Sequence, residues 1–196
     1  MSKTLKGKYR PKHPEKYKGD PSEIIYRSSW ERTFMRWLDA SDAVVSWQSE
    51  EKCISYYNPV QKRNRMYFPD FIVDFKKDGK IIREMVEIKP LKQVNGPSKE
   101  PKRRTKSWMY EVQTYAVNMA KWKAARKYCK ERGWTFRLIT EKELALWANP
   151  IPVSLILVGE WALLVGIPTP MDRRFTSPTP SCPVRPPTQQ TQAPWT

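Results

Sequence analysis

Apolar and polar positions along the chain fall into short runs of distinct period. In "SSWERTFMRWLDA", Trp30, Phe34, Trp37 and Leu38 share one helical face, which predicts a helix with Ser28 or Ser29 as its N-cap. The β-branched and aromatic runs "AVVSWQ" and "CISYYN" predict short strands. From Tyr67 to Pro90, "YFPDFIVDFKKDGKIIREMVEIKP" reads as two strands joined by a tight turn at Asp78-Gly79. Residues 91–106 are polar and predict a loop with a basic cluster at its end. An amphipathic pattern from Ser107 to about Arg132 predicts a long helix closed by Gly133. "TFRLIT" then predicts a strand and "EKELALW" the start of another helix.

The ends of the chain follow neither period. Residues 1–24 interleave Lys, Pro, Gly and Tyr and predict an extended basic arm, able to lie on phosphates through Lys3, Lys6, Lys8, Arg10, Lys12, Lys16 and Lys18. A folded domain is expected over 25–147. After it comes an apolar segment, 148–170, containing "IPVSLILVGEWALLVGIP". That run just reaches the length of a bilayer span, but Glu160 at its middle and the flanking prolines favour a helix packed on protein. The tail, 171–196, is Pro/Thr/Gln-rich and is expected to be disordered.

Composition narrows the function. The 196 residues suffice for one domain and a tail, and 39% apolar residues can build a core. Thirty-six Lys+Arg against 20 Asp+Glu leave a formal charge of +16, which attracts polyanions: nucleic acid first, anionic membrane second. With one histidine, His13, a Ser-His-Asp triad or a His-based metal site is excluded as a working hypothesis. Cys53, Cys129 and Cys182 are too widely spaced for a zinc site, and the charged N-terminus has no signal-peptide core.

The chemistry concentrates in the predicted hairpin. A two-residue turn at Asp78-Gly79 sets Lys77 against Lys80 and carries the register down to Asp70 opposite Glu87, with Lys89 diagonal on the same face. Facing carboxylates repel unless a cation lies between them, and Mg²⁺ commonly takes one or two carboxylates with water and phosphate completing its shell. A lysine beside them can position or deprotonate water, or stabilise developing phosphorane charge. Asp74 opposite Arg83 reads as a structural pair. Glu31 offers a third carboxylate, although as residue N3 after Ser28 it equally completes a capping box. Lys102, Arg103, Arg104 and Lys106 could hold phosphates, and Gln113 could face the centre from the long helix.

Glu31, Pro69-Asp70 and Glu87-Ile88-Lys89, taken in order, resemble the PD-(D/E)xK nucleases in their TnsA-type version. "LKGKYRPKHPEKYKGDP", "IIYRSSWE", "YFPDF", "VEIKP" and "TYAVNMAKWKAARKYCKERGW" resemble the head completion nucleases of T-even-type phages, over about residues 1–146. The resemblance implies an α/β fold with a restriction-endonuclease-like core, a mixed central sheet flanked by helices. It implies a Mg²⁺-dependent DNA endonuclease, Mn²⁺ being a substitute, that finishes the DNA-filled head with capsid or portal partners in the virion and host cytoplasm. Asp70, Glu87 and the Ile88 carbonyl are the implied metal ligands, Lys89 the group that positions or activates water, and Glu31 the helix carboxylate. DNA contacts are expected from Lys6, Lys8, Arg10, Lys12 and the 102–106 cluster. Two rival readings are a non-catalytic DNA- and portal-binding virion protein and a transposon- or repair-type endonuclease.

Overall fold

The structure is a computed structural model and describes residues 5–97 and 101–148. Its centre is a four-stranded mixed sheet in the order β3-β6-β7-β8: β3 (Val44–Ser49), β6 (Phe71–Lys77), β7 (Lys80–Ile88) and β8 (Thr135–Ile139). The first two pairings are antiparallel, and β7 runs parallel to β8. A parallel neighbour needs a long crossover, and α3 (Lys106–Lys130) supplies it. The apolar segment and the tail beyond residue 148 lie outside the described residues. Among the described residues no helix is long and apolar enough to cross a membrane.

The β6–β7 hairpin has the register expected from its turn. Lys77 pairs with Lys80, Asp74 with Arg83 and Phe71 with Val86. Asp78 and Gly79 both have positive φ, 50° and 73°, as a type I′ turn requires. Alternation then sorts the side chains. Phe71, Val73, Val86 and Ile88 face a core with α1 (Ser29–Ala40) and α4 (Glu141–Ala148), while Ile72 and Met85 pack with Ala125 and Cys129 of α3. Ser28 caps α1 by accepting the Glu31 amide at 3.1 Å, and Thr105 caps α3 by accepting the Trp108 amide at 3.2 Å. α3 ends at Lys130 with Glu131 as its C-cap, and Gly133, at φ 65°, turns the chain two residues beyond the cap rather than at C′.

Three elements differ from the pattern. The predicted strand from Tyr67 is interrupted at Phe68–Asp70: Tyr67 closes β5 (Arg63–Tyr67), which pairs only with β4 (Ile54–Asn58) in a separate two-stranded ribbon. Only Tyr67 of β5 is buried, so β5 shows no alternation to read. A short helix, α2 (Leu91–Asn95), occupies the start of the predicted loop.

The third difference corrects the free-arm reading of the leader. Over its described part the leader packs as a strap. It contributes β1 (Gly7–Lys8), which pairs with β2 (Ile25–Tyr26), and buries Tyr9, Tyr17 and Ile24. The Tyr17 ring meets Trp47 edge-on with centroids 4.8 Å apart. Buried Asp39 accepts the Lys12 and His13 amides at 2.7 and 2.9 Å and the Tyr9 hydroxyl at 3.2 Å. Lys16 donates to the Asp39 and Ser41 carbonyls and Lys18 to Asp74, so neither is a free phosphate contact.

Candidate active site

The site forms where β6 begins and β7 ends, on the face of the sheet turned toward α3 and the ribbon. Extending the β6–β7 register by one pair sets Asp70 against Glu87. Asp70 Oδ2 accepts the Ile88 amide at 2.7 Å, so the β7 backbone itself orients the carboxylate. Lys89 Nζ lies 2.9 Å from Glu87 Oε1, 3.8 Å from Asp70 Oδ2 and 3.2 Å from the Ile88 carbonyl. Asp70, Glu87, Lys89 and the Ile88 carbonyl are therefore brought together.

Two carboxylates share one ammonium in a niche where Glu87 is 2% exposed. Burial, and then the Glu87 charge, raise the Asp70 carboxyl to about 8, against the lowering effects of Lys89 and the Ile88 amide. Burial lowers the proton affinity of Lys89, but the charges of Asp70 and Glu87 outweigh it and hold the amine above its ordinary range. Lys89 is thus an ammonium donor. The niche retains an affinity for one more positive charge, and the donor set, two carboxylate groups and a backbone carbonyl, is hard oxygen suited to Mg²⁺. Among the described residues no three His, Cys, Asp or Glu side chains converge on one point, so solvent and substrate must complete such a shell.

Glu31 stands apart as a capping-box residue. Its Oε2 accepts the Arg27 amide at 2.7 Å and its Oε1 the Ser28 hydroxyl at 2.9 Å. Its charge nonetheless contributes to raising both Asp70 and Lys89. Gln113 is exposed on α3, and the α3 side chain whose surroundings include the charges of Glu87 and Asp70 is Lys121. Lys102, Arg103, Arg104 and Lys106 are exposed around the start of α3, about 22 Å along the helix axis from Lys121.

Two residues of the site escaped the sequence reading. Tyr67 donates its hydroxyl to Glu87 Oε2 at 2.5 Å. Burial and the Glu87 charge hold that phenol protonated well above its usual range, so it remains a donor. Lys121 lies over the Tyr67 and Tyr56 rings, 5.5 and 5.9 Å from their centroids. Burial lowers its proton affinity, with the Glu87 charge opposing. Tyr67 ends a strand with no period and Lys121 belongs to a helix with many lysines, so neither has a local signal.

Residues 41–141 match the family described as the TnsA-like endonuclease N-terminal domain, a span that includes every strand of the central sheet. The chain belongs to the TnsA-like endonucleases. The head completion nuclease of Enterobacteria phage T4 is 40% identical to it over 141 residues, 70% of this chain and 92% of that relative. Asp70, Glu87, Lys89, Tyr67 and Lys121 all lie inside the family's span, and Glu31 lies before it.

Proposed function

We propose that this endonuclease hydrolyses DNA phosphodiester bonds with Mg²⁺, or Mn²⁺ in its place, during completion of a phage head. The observation that carries the reading is the convergence of Asp70, Glu87 and Lys89 in a niche left short of positive charge. Asp70, Glu87 and the Ile88 carbonyl would hold the metal, which when bound supplies charge stabilisation and a more acidic water. Tyr67 and Lys89 fix the Glu87 carboxylate from opposite oxygens, and the Ile88 amide fixes Asp70. As an ammonium, Lys89 orients the attacking water and stabilises charge growing on the phosphate oxygens. Glu31 acts through its charge and by fixing the start of α1.

Exposed Lys6, Lys8, Arg10 and Lys12 on the strap, with Lys102, Arg103, Arg104 and Lys106 on the start of α3, supply phosphate contacts. Lys8 also pairs with Glu23 at 2.9 Å, a surface contact that DNA can replace. The head-completion role is carried over from the T4 relative, a head completion nuclease, and capsid or portal components are the partners that such a role would require. The test is single-turnover cleavage by Lys89→Ala beside duplex binding. A fall of about 10²-fold or more in the rate, with affinity changed only a few-fold, supports the assignment; an unchanged rate removes Lys89 from the chemistry. Association with DNA-filled heads lacking tails tests the biological role, and its absence would favour a transposon- or repair-type enzyme.

A further inference from the structure

The β4–β5 ribbon reaches the site through Tyr67, the last residue of β5, and the rest of it makes no contact with the carboxylates among the hydrogen bonds described above. Residues 52–69 contain Lys52, Lys62, Arg63 and Arg65 and no acidic residue. Its inner side is fixed: Ile54, Tyr56 and Tyr67 are buried against α3. Its tip is also fixed, because Asn58 Oδ1 accepts the Val60 and Gln61 amides, both at 3.0 Å, and Asn58 itself is buried. The outer side is open. Tyr57 is 57% exposed, Met66 40% and Phe68 38%, and Tyr57 pairs across the ribbon with Asn64.

We propose that this ribbon is a duplex-DNA contact that lies in a groove beside the scissile phosphate, its Lys62, Arg63 and Arg65 on phosphates and Tyr57 and Asn64 toward base edges. A two-stranded ribbon fits the major groove, and an Asn amide matches an adenine edge. Its root is tied to the chemistry, since Tyr67 closes β5 and holds Glu87. Five residues of β5 span about 17 Å, so the tip contacts DNA roughly half a duplex turn from the carboxylates. A second copy of the chain is the weaker occupant, because two molecules of formal charge +16 repel.

The inference rests on the endonuclease reading, so binding is measured apart from cleavage. The full chain and Lys62→Gln/Arg63→Gln/Arg65→Gln are titrated onto a 20-base-pair duplex in EDTA over a range of salt concentrations. All three positions are exposed, and a control, Lys76→Gln/Lys77→Gln/Lys80→Gln, removes the same charge from the far tip of the β6–β7 hairpin. The ribbon variant should lower the slope of log K against log salt by about 2–3, and the control by less than about 1. Tyr57→Ala/Asn64→Ala should weaken binding roughly 10-fold at an unchanged slope. Equal slopes for the wild type and the ribbon variant would overturn the proposal, as would loss of self-association with duplex binding intact. A wild type that binds the duplex but fails to cut it with Mg²⁺ would remove the nuclease reading while the slopes still decide the ribbon.

Discussion

At Asp70 the fold holds a carboxyl where its charge is disfavoured, and this has a consequence for stability. In the fold, burial and then the Glu87 charge push the group up from 3.8 to about 8. Between those values the folded state keeps a proton that the unfolded state releases, so stability falls as pH rises through the window. Asp70→Asn should therefore abolish cleavage yet raise the melting temperature at pH 8 by several degrees, about 2–4 °C per kcal/mol, with the two proteins converging near pH 4. Mg²⁺ should raise the melting temperature of the wild type and leave that of the variant unchanged. A variant less stable than the wild type at pH 8 would contradict this reading of the site. Tyr67→Phe keeps the ring and removes the Glu87 hydrogen bond, so Mg²⁺ binding by calorimetry should weaken about 10–100-fold with little change in fold.

Among elements, the strap and the hairpin show what local pattern does and does not reveal. Strap and sheet meet at Asp74. Burial raises its carboxyl, but hydrogen bonds from Arg83, Lys18 and Ser46 outweigh that and hold it well below the usual range. A lowered carboxyl contributes stability that is present above its unfolded value near 4 and is lost as pH falls below it. Asp74→Ala should cost roughly 2–4 kcal/mol in denaturant unfolding at pH 7 and much less at pH 3. Removing residues 1–24 strips Tyr9 and Tyr17 from Trp47 and should lower the melting temperature sharply; a truncated chain as stable as the full one would restore the free-arm picture.

The hairpin was legible because Asp78-Gly79 dictates a turn and the turn dictates every pair down to Asp74 opposite Arg83. The α1 and α3 helices were legible from period and caps. The strap was not, since Tyr9, Tyr17 and Ile24 lie too far apart for any period and their partners, Asp39 and Trp47, are distant in sequence. For the same reason Asp70, Glu87 and Lys89 could be placed together from one register, while Tyr67 and Lys121 could not: they reach the site from a ribbon and a helix that no local pairing rule connects to it.

For the whole molecule, charge and site belong to one design. The chain carries 36 Lys+Arg against 20 Asp+Glu, and the Asp70–Glu87 niche sits beside the ribbon and α3. Such a field favours polyanions, and on the proposed mechanism a cation between the two carboxylates would let a phosphate approach them. In the proposed mechanism Asp70 and Glu87 hold the metal of this endonuclease. The most direct test is conversion of supercoiled plasmid by the full chain and by Asp70→Ala, each with Mg²⁺ and with EDTA. Nicked or linear product only from the wild type with Mg²⁺ is the predicted result. Cutting by Asp70→Ala, or equal cutting in EDTA, would remove Asp70 and Glu87 as a metal centre.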